Sequence, residues 1–367
     1  MLCKQSTNVQ SVGLNMTSDL AWKLQDLDKV QKNNLKVMSC FACGGGSTMG
    51  YKLSGMQVIA ANDIDPEMQW HYVENHKPKY YFLCPIKDLL TQDLPQELYM
   101  LDILDGSPPC SSFSISGNLQ RDWQKEKKFR EGQQLQVLDD LFFDFIALAD
   151  RLKPKCIIAE NVTGLLSGNS KGYFKEICRQ IEGIGYHLQV FVIDAADCGV
   201  PQNRERVFFV ALRNDFQAPM LTLPDKTPHI PFGEAVKDLQ ELTAEEEKLT
   251  KATGCMLRYW NKTYPGESFK HAVKRQVGKE SFFNHHRLNV SKPSRTITAH
   301  CHVMCHPSVC RRLTIRELLR LQSFPEDYKF KSQRSAGYLI GMSVPPRMTA
   351  YLAGAVRDQW LLNQNAA

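Results

Sequence analysis

The chain of 367 residues contains no run of about eighteen apolar residues, which excludes an ordinary membrane-spanning helix. Its first residues, "MLCKQSTNVQ", lack the basic-then-apolar pattern of a secretion signal, so a soluble, cytoplasmic protein is expected. Internal repeats are absent. Twelve cysteines are present but without regular spacing, which argues against a disulfide framework and for reduced, available thiols. Charge of one sign is also scarce: a net +6 permits a polyanionic partner without requiring one.

What is present is length and alternation. The chain is too long for one ordinary core and suits a large domain with a smaller one. Residues 18 to 30, "SDLAWKLQDLDKV", place Leu20, Leu24, Leu27 and Val30 at helical spacing behind Ser18, within an N-terminal extension over 1–35. From residue 36, short apolar runs ("KVMSCFA", "MQVIAAND", "MLDILDG", "KCIIAEN") alternate with helical stretches such as "QLQVLDDLFFDFIALADRL". This predicts an α/β fold, a mainly parallel sheet covered by helices, over 36–213. "YHLQVFVIDA" and "RERVFFVALR" are joined by a loop too short for a helical crossover and should pair antiparallel. A smaller domain is expected over 214–335, with an acidic helix at "ELTAEEEKL" and a Thr314/Glu317 capping box; 336–361 returns to the larger domain.

The stretch "CFACGGGSTMG" is a glycine-rich turn between the first strand and helix, where such sheets bind nucleotides. In G-x-G-x-x-G spacing from Gly44 the third glycine would fall at Met49, but it stands at Gly50, and no lysine marks a phosphate-cradling loop. Asp63 ends the second strand, where a carboxylate can accept ribose hydroxyls. A glycine turn and a ribose acid without phosphate machinery suggest an adenosine-containing cofactor such as S-adenosylmethionine.

Three further features carry chemistry. Cys110 follows two prolines after an apolar run, Glu160 ends the strand "CIIAEN", and Arg204 and Arg206 sit two apart around a strand start, so they share a side. A carboxyl at the end of an apolar strand, as Glu160 is, is placed for general acid work. Loops at the carboxyl edge of one parallel sheet converge on one crevice. A thiol, an acid and a cationic pair around an adenosine site can add a nucleophile to an electron-poor ring and alkylate the product.

In order, "FACGGGSTMG", "PPCSSFS", "ENV", "QNRER", "RRLTIRELLRLQSFP" and "GMSVPP" span nearly all of 37–360, and with them the chain resembles the cytosine-C5 DNA methyltransferases. The resemblance implies a Rossmann-like methyltransferase sheet with a target-recognition domain, S-adenosylmethionine as cofactor with S-adenosylhomocysteine as product, and duplex DNA as partner. It implies that Cys110 adds to C6 of a flipped-out cytosine, that Glu160 acts at N3, and that Arg206 holds the carbonyl with Arg204 in support. Phe41 and Ile64 would sandwich the adenine, Leu141 and Val344 would close its pocket, and Ala42, Gly44, Gly45, Gly46, Asp63, Ile86, Pro109 and Ser343 complete the cofactor set. No metal is implied. The short single chain looks like a bacterial or phage modification enzyme, monomeric, with a cognate restriction endonuclease acting separately.

The chain departs from the family pattern at Ser39, Cys43, Asp63, Pro85 and Met342, all around the cofactor. Cys43, where the family has glycine, could narrow or re-aim the turn. Residues 115–132 suit a mobile lid, with Ser116 and Gly117 as hinge and Arg121, Lys125, Lys127, Lys128 and Arg130 toward phosphates. The basic, aromatic stretch 254–276 suits contact with DNA. The cluster Cys301, His302, Cys305, His306, Cys310 resembles a zinc site, but the alternation of "SRTITAHCHV" predicts a strand that sends Cys301 and His302 to opposite faces. An RNA cytosine methyltransferase, a cysteine hydrolase and a non-catalytic DNA reader are the rival classes.

Overall fold

The apolar runs become the strands of one sheet in a computed structural model that describes residues 20–109, 126–127, 136–137, 140–278 and 284–362. Strands β1 (Lys36–Cys40), β2 (Gln57–Asp63), β3 (Tyr80–Leu83) and β4 (Ile103–Gly106) come first, with helices α1 (Gly46–Leu53) and α2 (Pro66–His76) between them. A two-residue pair, β5 (Glu126–Lys127) and β6 (Gln136–Val137), precedes α3 (Leu141–Leu152). Then follow β7 (Cys156–Val162), α4 (Lys171–Gly183), β8 (Tyr186–Asp194) and β9 (Glu205–Arg213). Beyond the sheet lie α5 (Phe232–Ala235), α6 (Ala244–Thr250), α7 (Cys255–Tyr259), α8 (Phe269–Val277), β10 (His286–Arg287), β11 (Met304–Cys305), α9 (Ile315–Leu321), α10 (Gln333–Met342) and α11 (Pro346–Val356).

The sheet order is β3-β2-β1-β4-β7-β9-β8, with β9 antiparallel to both of its neighbours and the other pairs parallel. The chain reverses its direction of winding between β1 and β4, so a crevice opens outside their carboxyl ends. The pleat sends alternate residues to opposite faces. Met38, Ile157 and Phe209 join the core under α3 and α4, whereas Val37, Ile158 and Phe208 join the core under α1 and α11. Phe142 and Phe209 meet edge to face at 5.3 Å, and each fully buried ring contributes about 2–3 kcal/mol. A third cluster joins Met49 of α1 to Leu318 of α9, and a separate small core of Ala252, Met256, Tyr259, Trp260, Phe269, Val273 and Cys305 belongs to the region beyond the sheet.

Three expectations need correction. The segment 18–30 forms only a short 3-10 turn over Leu24–Lys29, because Trp22 and Leu24 are pinned to the far end of the chain: the Trp22 indole N–H donates to Ser323 O and Leu24 N to Asp327 Oδ1. Ser18 lies outside the described residues. The helix expected from residue 134 begins at Leu141, since Gln136–Val137 pairs with Glu126–Lys127. "SRTITAHCHV" is a ribbon with a single bridge, Gln202 to Ser294, ending in a 3-10 turn at Cys301–Val303. Its polar groups go sideways into the sheet domain: Ile297 N donates to Gln202 Oε1 and Ile297 O accepts from Arg204.

Candidate active site

The turn after β1 closes in left-handed backbone, with φ of 55° at Phe41, 46° at Cys43 and 77° at Gly45. Gly45 adopts this conformation freely, whereas Cys43 is strained there by an amount on the order of 1 kcal/mol. Asp63 offsets that strain. One carboxylate oxygen accepts Cys43 N at 2.7 Å and the other accepts Asp65 N at 2.9 Å. The cysteine therefore keeps the tight turn and rests its sulfur 3.6 Å from Met68 Sδ. At Gly46 a Cβ would stand 2.2 Å from Val344 O and 2.8 Å from Ser343 Cβ, so only glycine lets α1 start against the returning C-terminal segment.

Phe41, Ile86 and Leu141 belong to one apolar cluster at this edge, and Ala42 packs with Ala61, Tyr72 and Tyr81. Pro85 opens the turn before Ile86, and Asn62 reaches the neighbouring backbone instead, donating to Phe82 O and Cys84 O. Burial raises the Asp63 carboxyl to about 6 against the backbone donors that lower it. The Tyr81 hydroxyl is buried with no hydrogen-bond partner among the described residues, and Asp63 is one of the charges acting on it. An orphan hydroxyl, a carboxylate and a backbone that excludes Cβ atoms form a polar cradle of the kind a ribose or adenine would fill.

Cys110 lies outside the described residues, as does the expected lid apart from the backbone of 126–127. The turn that leads to Cys110 is held from the next strand. Asn161 of β7, 4% exposed, donates Nδ2 to Pro108 O at 3.1 Å, and Pro109 follows. Beside Asn161, Glu160 forms an ion pair with Arg206 Nε at 2.8 Å, both side chains being mostly buried. The pairing of Val162 with Arg206 across β7 and β9 sets this geometry.

Arg204, just before β9, is turned into the protein, donating to Ile297 O at 2.8 Å and Gly341 O at 3.1 Å. Its guanidinium ties the start of β9 to the ribbon and the α10 end as a brace, with Arg206 and Glu160 among the charges acting on it. Sequence reasoning missed Asn161, because an amide between Glu160 and Val162 carries no signal of its reach across strands. It also missed Asp105, whose carboxylate accepts Ser39 Oγ–H at 2.7 Å and Tyr51 O–H at 3.0 Å.

The ribbon carries a second feature to the rim. Ser294 bridges Gln202, four residues before Arg206, and Arg295 follows it into a cleft of about 450 Å³ lined by Tyr264, Ser268, Lys270, His271 and His286. The Arg295 guanidinium contacts the His286 ring, whose pKa burial and then Arg295 push down to about 4, so the ring is neutral. Glu267 in the cleft is engaged by Arg275 at 2.8 Å. Among the described residues Lys270 and Arg295 meet no carboxylate, and no three His, Cys, Asp or Glu side chains are arranged to hold a metal ion.

Comparison with known proteins matches most of the chain. The family model described as C-5 cytosine-specific DNA methylase matches residues 35–358. The Type II methyltransferase M.NgoPII of Neisseria gonorrhoeae is 25% identical over 358 residues, covering 91% of this chain and 98% of that one. M.DdeI of Desulfomicrobium norvegicum is 29% identical over 376 residues, 87% of this chain and 88% of that one. Among solved structures, a mutant of DNMT2 from Spodoptera frugiperda superposes with a TM-score of 0.61 at 18% identity, over 89% of this chain and 100% of that one, which speaks to the fold.

Proposed function

The chain belongs to the C-5 cytosine-specific DNA methylase family, and on that premise we propose how its own residues methylate cytosine in duplex DNA. The observation that carries the reading is the Glu160–Arg206 pair set beside Asn161, which holds the turn before Cys110. Cytosine C5 is too weak a nucleophile to be alkylated unaided. The Cys110 thiolate adds to C6, Glu160 places a proton or hydrogen bond at N3, and electron density moves to C5. Arg206 keeps Glu160 oriented through Nε and donates Nη1 to Glu205 O at 2.7 Å, which leaves Nη2 for the cytosine carbonyl. After alkylation a base takes the C5 proton, its bonding pair re-forms the C5–C6 double bond, and the C6–S bond breaks to release Cys110 as the thiolate. The target base is stacked inside the duplex and must be swung out first, the task proposed for residues 115–132.

S-adenosylmethionine, when bound, supplies an electrophilic methyl group on a sulfonium. Asp63, the orphan Tyr81 hydroxyl and the backbone of 42–46 would hold its adenosine, with Phe41, Ile64, Ile86, Leu141, Pro109, Ser343 and Val344 as the surrounding wall. Asp63→Ala removes the acceptor of Cys43 N as well as any ribose contact. Since hydrogen bonds to a charged group are worth about 1.5–3 kcal/mol, the KM for S-adenosylmethionine should rise roughly tenfold to a hundredfold while DNA affinity holds. An unchanged KM would remove Asp63 from the cofactor site.

The region 214–335, with its own small core, is proposed to recognise the target. Its cationic cleft would take phosphodiesters flanking the flipped cytosine, because among the described residues Lys270 and Arg295, which line it, meet no carboxylate. Lys270→Glu with Arg295→Glu should weaken duplex binding by at least about tenfold at moderate salt and flatten the salt dependence by about two phosphates. A fluorescence anisotropy titration at several salt concentrations checks it; an unaltered slope would exclude the cleft. Relatives named Type II methyltransferases point to a modification role alongside a separate restriction endonuclease. The overall reading is tested by transfer of labelled methyl from S-adenosylmethionine to mixed-sequence duplex DNA and to RNA, followed by nucleoside analysis. Label in 5-methylcytosine from DNA supports it, and label from RNA alone would replace the substrate.

A further inference from the structure

Asp105 takes no part in the chemistry above, yet its carboxyl is buried at 4% exposure in the centre of the sheet with no ion pair among the described residues. It lies on β4, directly opposite Ser39 of β1. The Ser39 hydroxyl donates to one carboxyl oxygen and the Tyr51 hydroxyl to the other. Ser39 stands just before the glycine turn, and Tyr51 stands on α1 just after it. Asp105 thus touches both flanks of the cofactor turn from the strand that continues into Pro108, Pro109 and Cys110.

Burying a carboxyl, a phenol and a serine hydroxyl together is a poor way to gain stability, because apolar residues of similar shape serve as well or better. Such a network is justified by the geometry it fixes. The charged or titratable groups acting on it are Cys40 from β1, Tyr51 and Tyr72 from α1 and α2, and Glu160 from β7. Burial raises Asp105 to about 7, so an uncharged mimic is a fair replacement.

We propose that Asp105 is a positioning residue whose carboxyl clasps both flanks of the cofactor turn to β4, the strand that leads to Pro108 and Pro109, so that the methyl donor is held in register with the segment from which the chain runs on to Cys110. This rests on the methyltransferase reading. A displacement of about 1 Å between reacting groups costs about a hundredfold in rate, so a small slip of β4 against β1 matters.

The decisive comparison is between Asp105→Asn and the triple variant Ser39→Ala, Tyr51→Phe, Asp105→Leu, which removes every polar member of the network at once. Methyl transfer to DNA is measured at saturating S-adenosylmethionine, cofactor binding by calorimetry, and folding by thermal melting. The amide can accept from Ser39 and donate to the Tyr51 oxygen, so Asp105→Asn should keep kcat within about threefold of the wild type. The triple variant should melt at or above the wild-type temperature and bind S-adenosylmethionine severalfold more weakly. Its kcat should fall about tenfold to a hundredfold. A triple variant that folds and keeps wild-type kcat and cofactor affinity would overturn the proposal, as would an Asp105→Asn variant no better than the triple. A wild-type protein that methylates no DNA would instead overturn the reading beneath it.

Discussion

Cys110→Ala should reduce methyl transfer to background, a loss of about 10⁴-fold or more, while leaving duplex binding and cofactor binding in place. Cytosine is alkylated at C5 only while C6 carries a nucleophile, and the other thiol of the quoted motifs, Cys43, rests its sulfur against Met68. Pro109, immediately before it, has no N–H to compete for the sulfur and fixes its own φ. The Pro108 carbonyl is already engaged by Asn161, so truncating the thiol leaves the turn supported. Single-turnover transfer of labelled methyl, with gel-shift binding alongside, separates chemistry from binding. Turnover above background would exclude Cys110 as the nucleophile. A covalent complex with DNA containing 5-fluorocytosine, formed by the wild type and missing from the variant, gives a second readout independent of rate.

Glu160→Gln should lower kcat by about 10²–10⁴-fold with little change in melting temperature. Glutamine keeps a hydrogen-bonding oxygen toward Arg206 but cannot cycle a proton at N3. Arg206→Ala acts differently: it strands a carboxylate whose side chain is 12% exposed, which costs stability of about 3–5 kcal/mol as well as rate. Because the two act as a pair, the double variant should be much less impaired in both respects than the sum of the singles. Additive effects in a double-mutant cycle of kcat and melting temperature would show that the pair in the structure does not operate as one unit.

The parallel core was legible because apolar runs of four to eight residues ending in polar residues leave few alternatives to buried strands. The antiparallel pair β8 and β9 was legible because a short connection cannot cross over a sheet. Local chemistry also read through: the Thr314/Glu317 box starts α9, and the acidic helix expected at "ELTAEEEKL" forms as α6. The N-terminal segment misled, since its leucine spacing is helical but its Trp22 indole N–H and Leu24 backbone N–H are spent on Ser323 and Asp327, three hundred residues away. "SRTITAHCHV" misled for the same reason, its alternation serving contacts to Gln202 and Arg204 in place of a ladder.

For the site, the sequence by itself determined the chemical inventory: a thiol after two prolines, a strand-end glutamate, an arginine beginning a strand, a glycine turn and an acid beyond it. Those are properties of residue type and spacing, which one-dimensional order carries. Only the tertiary structure decided how the inventory is divided. Arg206 goes to Glu160 while Arg204, two residues earlier, braces the ribbon and α10. Asp63 secures the turn through Cys43, and Ser39, in place of a carboxylate, is answered by Asp105 from the neighbouring strand. The physical reason is that a buried hydrogen bond must be satisfied by whatever the packed strands bring within about 3 Å, and that distance is set across the sheet, where sequence separation says nothing.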